Sequence, residues 1–275
     1  MFSYITFPEG KSKALTMSFD DGRKQDRRLV EIFNRYGIKG TFHLNSGWMD
    51  HELEEIRKEA DTLYSGHEIA THSLTHPTLT RLSDTAVLEE IISDRKNLEK
   101  LTGRIIRGHS YPNGAYDERI KQLLKNAGIA YARAVSAKDD LEMPEDFLEW
   151  HPTCHYSAPE LMKKAKFLAE FGKPQYLKLL YVWGHSYEFD RDDNWNIIEE
   201  FCEYISGRDD IWYATNIEIV EYMEAAQRLI YSADGSIVHN PSAMPVWIRM
   251  LSESGPETGE ICMIPAGGTY QYSAS

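Results

Sequence analysis

The chain has 275 residues, 42% hydrophobic and 27% charged, which suits one large globular domain or one domain with a small appendage. A formal net charge of −13 argues against a nucleic-acid-binding surface, which needs clustered Lys and Arg, and against docking on anionic membranes. No run approaches the roughly 20 apolar residues of a membrane helix, and no secretory signal is visible. Cys154, Cys202 and Cys262 lack metal-type spacing and cannot all pair internally, so a reduced compartment is expected; a cytoplasmic location is the default, and an extracytoplasmic one stays open.

Residues 14–19 read as a strand and 27–36 as a helix closed by Gly37. Residues 40–45 form the next strand, 52–65 a helix ended by Gly66, and 68–72 a third strand. Ser83 opens a long helix through Leu101, with Leu88, Ile91, Ile92 and Leu98 on its apolar face. Residues 105–109 and 130–135 read as strands around a helix at 117–126. A helix at 158–171 precedes a strand at 176–183, and a helix at 195–206 precedes a short strand at 212–214. A helix at 216–228 follows. Strands alternating with helices indicate parallel βα units, an α/β class. Seven strand candidates with chemistry-bearing residues at their ends favour a distorted (β/α) barrel. After Arg228 the segments 230–237, 244–250 and 261–264 read as a small β appendage with a hairpin turn at Asp234-Gly235. The expected division is a barrel over 1–228 and an appendage over 229–275, whose sheet edges need cover from the barrel or from a second copy.

Two adjacent carboxylates, Asp20 and Asp21, follow the first strand and precede Gly22. At a buried strand end they repel each other, which a cation would relieve; Asp-Gly is also an ordinary turn signal. His72 and His76 follow the third strand. At i and i+4 they share a face if that turn is helical. One carboxylate and two imidazoles make an open site for a catalytic divalent metal, with Asp20 beside it as general base.

Phe19-Asp20-Asp21-Gly22 and His72-Ser73-Leu74-Thr75-His76 resemble the first two motifs of the polysaccharide deacetylases, carbohydrate esterase family four with the NodB homology domain. The resemblance implies Asp20 as base, Asp21, His72 and His76 as metal ligands, and a divalent metal, zinc foremost, with cobalt, nickel or manganese as alternatives. Ser110-Tyr111-Pro112-Asn113-Gly114 matches the third motif except that Ser110 stands where the family has the arginine that holds the catalytic aspartate. Arg107 and Arg133 are candidates to replace it. Arg133 is preferred because a strand residue can point into a barrel. The Asn113 N–H matches the family's oxyanion donor. Tyr181-Val182-Trp183-Gly184-His185 matches the last motif and implies His185 as general acid. The fourth motif has no clear counterpart. Asp139, Asp140 and Trp150 lie in its interval, and Trp150–His155 is a candidate pocket wall.

Asn45 and Glu188 can face substrate, and Tyr111 and Trp195 can stack on a sugar ring. The expected activity is metal-dependent removal of acetyl groups from N-acetylated amino sugars of oligosaccharide, polysaccharide or peptidoglycan type. The partner is then the carbohydrate itself, without nucleic acid or membrane, and a homo-oligomer is possible. The rivals are an amidase of the same fold acting on a non-sugar C–N bond and an inactive carbohydrate-binding protein.

Overall fold

The computed structural model describes residues 3–48, 54–251 and 259–272. Strand β2 (Lys13–Asp20) lies at the centre of the sheet. Leu15, Met17 and Phe19 enter the apolar layer under the helices, while Thr16, Ser18 and Asp20 are buried on the other face, as a two-residue period requires. β2 pairs along its whole length with β8 (Lys178–His185), and through Met17–Asp20 with β3 (Gly40–Leu44). From β3 the sheet continues through β4 (Glu68–Thr71), β5 (Gly108–Ser110) and β6 (Tyr131–Arg133). From β8 it continues to β7 (Cys154–His155), and β9 (Ile211–Tyr213) pairs with the start of β2. All these pairings are parallel.

The ring closes where Trp150 N–H donates to Ala132 O and Ala134 N–H donates to Trp150 O. These bonds tie the segment entering β7 back to β6. The result is a distorted (β/α) barrel of eight strands where seven were expected. The additional one, β7, is two residues long, too short to show a period.

Helices α1 (Asp26–Tyr36), α5 (Leu161–Glu170) and α7 (Trp195–Ile205) cover one side through Leu29, Phe33, Leu161, Leu168, Ile198 and Phe201. α1 stops at Gly37, which takes the left-handed conformation with φ 65°. Other helices are α2 (Glu54–Leu63), α3 (Asp84–Thr102), α4 (Glu118–Asn126) and the single turn α6 (Tyr187–Arg191), which had not been expected. Glu52 and Leu53, placed in a helix by the sequence, lie outside the described residues. No helix among the described residues is long and apolar enough to cross a membrane.

The lower barrel interior is filled by a polar network. Glu68 accepts from Tyr131 OH (2.7 Å), Thr41 Oγ1 (3.0 Å) and Ile217 N–H (2.8 Å), the last at the start of α8 (Asn216–Gln227). Asn216 donates to Tyr181 OH (2.6 Å) and accepts from Thr16 Oγ1 (2.7 Å). With that end plugged, the C-terminal strand ends carry the chemistry.

The appendage holds two three-stranded sheets. β1 (Ser3–Thr6) pairs with β12 (Val246–Met250), which pairs with β13 (Ile261–Ile264). β11 (Ile237–His239) pairs with β10 (Ile230–Tyr231) and β14 (Thr269–Gln271). The single stretch expected at 230–237 is thus two strands around a turn at Asp234-Gly235. Val246 packs with Phe7, Leu179 and Ile219, joining this unit to the barrel.

Candidate active site

The strand ends converge. β2 ends in Asp20 and continues into Asp21, β4 into His72, β5 ends in Ser110, β6 in Arg133 and β8 in His185. In the loops after β2, β4 and β5, Asp21 (78°), Ser73 (66°), His76 (56°) and Asn113 (58°) have positive φ. Such conformations cost about 1–3 kcal/mol each and gather at functional sites. They also correct an expectation. The 72–76 turn is a bend, and positive φ at Ser73 and His76, rather than a helical turn, brings the two imidazoles edge-to-face at 4.7 Å.

Donor atoms of Asp21, His72 and His76 lie within 4.8 Å of one another. His72 Nδ1 donates to Ser110 O (2.8 Å), which leaves Nε2 without a proton, 3.8 Å from Asp21 Oδ1. Asp21 Oδ1 is buried without a hydrogen-bond partner. Burial and the neighbouring Asp20 raise the Asp21 carboxyl, while burial pushes His72 down to about 3 and keeps it neutral. An orphaned carboxylate oxygen, a bare imidazole nitrogen and a second imidazole are a donor set that fits a divalent cation.

Asp20 has different partners. Its Oδ2 accepts from Arg133 Nη2, its Oδ1 from Ser110 Oγ (3.2 Å), and His43 Nδ1 lies 3.4 Å from Oδ1. Burial opposes the charge, but the Arg133 guanidinium, aided by His43, holds the carboxyl well below the usual range. Trp183 covers Arg133, its ring 4.4 Å from Cζ. The other candidate, Arg107, pairs with Glu221 instead (3.3 Å).

At the β8 end, Glu188 Oε1 lies 3.5 Å from His185 Nδ1, and Glu188 Oε2 lies 3.0 Å from His155 Nε2. Burial would lower His185, but Glu188, Asp20 and Asp21 outweigh it and raise it. For Glu188 burial works upward, and the bonds from His155 and His185 prevail, pulling the carboxyl far down.

Several candidates hold other positions. Asn45 does not face outward: its amide donates to the carbonyls of His72 and Ser73 (2.8 Å for Ser73) and fixes their loop. Tyr111 is fully buried, stacks on Tyr116 at 4.8 Å and donates to Leu148 O (2.7 Å), so its ring does not reach a substrate. Trp150 is core rather than pocket wall, wedged among Tyr131, Phe147 and Tyr181. Trp195 stacks on Phe189 in the core. Asn113 is exposed, with its side chain donating to Thr78 Oγ1 (3.1 Å). Asp139 pairs with Lys164, and Asp140 caps the following turn through Glu142 N–H (3.2 Å).

Sequence reasoning missed Asp94. Its buried carboxylate accepts from His72 N–H (3.2 Å) and Ser46 N–H (2.7 Å), and burial raises it to about 7. The signal was present: Asp94 shares the buried face of α3 with Val87, Ile91 and Leu98. His43 was also passed over, and His155 was named only as the end of the Trp150–His155 pocket wall.

Residues 8–132 match the family described as Polysaccharide deacetylase. The peptidoglycan-N-acetylmuramic acid deacetylase PdaA of Bacillus subtilis is 24% identical over 123 residues, 43% of this chain and 45% of that protein. The chitooligosaccharide deacetylase of a Bradyrhizobium strain is 22% identical over 122 residues, 43% of this chain and 54% of that protein. The chain thus spans about half the length of these curated relatives. A putative polysaccharide deacetylase from Mycobacterium smegmatis shares the fold, with TM-score 0.62 and 19% identity over 82% of this chain and 95% of the other. BA3943, a CE4 family pseudoenzyme from Bacillus anthracis, also shares it, with TM-score 0.50 and 16% identity over 79% of this chain and 68% of the other. Residues 8–132, with the motif loops in order, thus match the polysaccharide deacetylase family, and the barrel is a fold the chain shares with solved structures of that kind.

Proposed function

We propose that this protein is a metal-dependent hydrolase that removes acetyl groups from N-acetylated amino sugars, in oligosaccharide, polysaccharide or peptidoglycan form. The observation that carries the reading is the division of labour between neighbouring carboxylates: Asp21 is orphaned beside His72 and His76, while Asp20 is anchored by Arg133 and Ser110. The activities of the relatives supply the substrate class.

Asp21, His72 and His76 would hold a divalent cation, zinc by donor type, which supplies Lewis-acid polarisation of an acyl carbonyl and a water of lowered pKa. Asp20, ionised and oriented by Arg133, takes the proton of the attacking water. The Asn113 N–H faces the developing oxyanion, a donor worth about 3 kcal/mol. His185, kept protonated by Glu188, gives its proton to the departing amine, and acetate leaves. The test is acetate release from N-acetylglucosamine oligomers and peptidoglycan, with and without chelator. No chelator-sensitive release from any N-acetyl sugar would remove the assignment.

One observation favours a second reading. Tyr111 and Trp195, the aromatics expected to stack on a sugar, are buried. An amidase acting on a small non-sugar C–N bond needs no such platform, and ureido and cyclic-amide substrates in the same assay separate the two.

A further inference from the structure

We propose a second divalent-cation site, formed by His155, His185 and Glu188, whose occupation withdraws the proton donor. These residues come from β7, the end of β8 and α6, and one donor atom from each lies within 4.8 Å of the others. The His155 Nε2–Glu188 Oε2 and His185 Nδ1–Glu188 Oε1 separations are 3.0 and 3.5 Å. They bracket the roughly 3.3 Å between neighbouring ligands of a tetrahedral zinc whose bonds are about 2.0–2.1 Å. Each imidazole already stands near that distance from one Glu188 oxygen, with the three donors within 4.8 Å of one another.

His185 Nδ1 is buried with only the long approach of Glu188 Oε1, so it lacks the close partner that burial normally demands. Gly184 makes room for the cluster. A Cβ there would stand 2.4 Å from Tyr156 Cδ1 and 3.3 Å from His155 Nε2. His155 Nδ1 lies 2.8 Å from Ser157 Oγ, which can take the Nδ1 proton and free Nε2 for a cation. Ser157 N–H, 3.3 Å from the same nitrogen, supports the opposite tautomer, the one that serves when Nε2 donates to Glu188. Arg191 Nη2 lies 3.5 Å from Glu188 Oε1, is 57% exposed and is already bonded to Asp192 (2.7 Å), so a cation displaces it at little cost.

A cation on Nδ1 replaces the proton there. The ring then keeps its Nε2 proton as a coordinated neutral imidazole and no longer cycles through imidazolium. Under the proposed function, one equivalent of zinc supports turnover and a second suppresses it. That consequence rests on the hydrolase reading; the binding does not.

Zinc is counted by competition with a chromophoric chelator on the His72→Ala/His76→Ala variant of the full chain, in which the first donor set is dismantled. One zinc per chain is expected, and adding His155→Ala should abolish it. A count of zero in the double variant, or an unchanged count after His155→Ala, overturns the site. If melting curves show that His155→Ala fails to fold, Glu188→Gln replaces it. That change should weaken zinc by about 100-fold or more, at least the loss of an outer-shell partner, and undiminished affinity overturns the proposal. A retained zinc count without acetate release at any zinc level would keep the site and remove the hydrolase reading.

Discussion

Arg133 and Asp20, 113 positions apart in sequence, form an ion pair inside the barrel with both side chains almost wholly enclosed. The guanidinium reaches Asp20 from β6, whereas the end of β5 offers only the Ser110 hydroxyl. Removing one partner of a buried pair costs about 3–5 kcal/mol because the other charge stays behind. Arg133→Met should lower stability by that amount, and Asp20→Asn in the same background should recover most of it. Urea unfolding of wild type, both single variants and the double variant measures the coupling. Additive losses would show that the two groups are independent.

Asp20→Asn keeps the shape of the side chain and removes its basicity. Acetate release should fall by about 10²–10⁴, the usual contribution of a positioned base, while bound zinc, measured on the same sample, stays constant. A drop in zinc content would instead make Asp20 a ligand.

Metal removal should be visible in stability. A ligand that binds only the folded state, at 100 times its Kd, stabilises by about 2.7 kcal/mol. Zinc-loaded protein should therefore melt at a higher temperature than chelator-treated protein, and Asp21→Ala should lose the part of that difference contributed by the Asp21, His72 and His76 donor set, keeping what the His155, His185 and Glu188 site adds. Equal shifts in wild type and Asp21→Ala would move the cation elsewhere.

Glu68 gives stability a pH dependence. Burial raises its carboxyl from 4.5 to about 7, against hydrogen bonds from Ile217, Tyr131 and Thr41. The folded chain then holds a proton that the unfolded chain has released. This contribution is complete below about pH 4.5 and is lost as pH rises through about 7, a difference of roughly 3 kcal/mol. Glu68→Gln presents the hydrogen-bonding pattern of the protonated acid and should flatten the fall between pH 5 and 8. Denaturant titrations across that range measure the slope. Asp26 and Asp94, also raised to about 7 by burial, leave some slope in the variant.

The motif loops and the alternation of strands and helices were legible because they rest on local pattern. Asp20-Asp21, the two histidines and His185 follow apolar runs, and glycines mark several helix ends. Arg133 was legible for a related reason: a strand residue can point into a barrel. What escaped depends on tertiary direction. Nothing local tells that Asn45 turns to the backbone of His72, or that Tyr111 and Trp150 face inward. The meeting of His155 with Glu188 depends on the two-residue β7, and the approach of His76 to His72 depends on two positive φ angles. Asp94 was missed although its place on the buried face of α3 was visible in the spacing.

The pairing of β1 with β12 has a consequence for how the chain is made. Ser3 finds its strand partner at Met250, so the first strand emerges from the ribosome long before its neighbour exists. At roughly 5–20 residues per second that interval is about 10–50 s, during which an extended edge is open to wrong pairing. Closure of this sheet is then among the last folding events, a high-contact-order step. Tyr222, which donates to Thr6 O at 2.6 Å, is itself made late, so its hydrogen bond and the packing around Phe7 fix the first strand only shortly before β12 arrives.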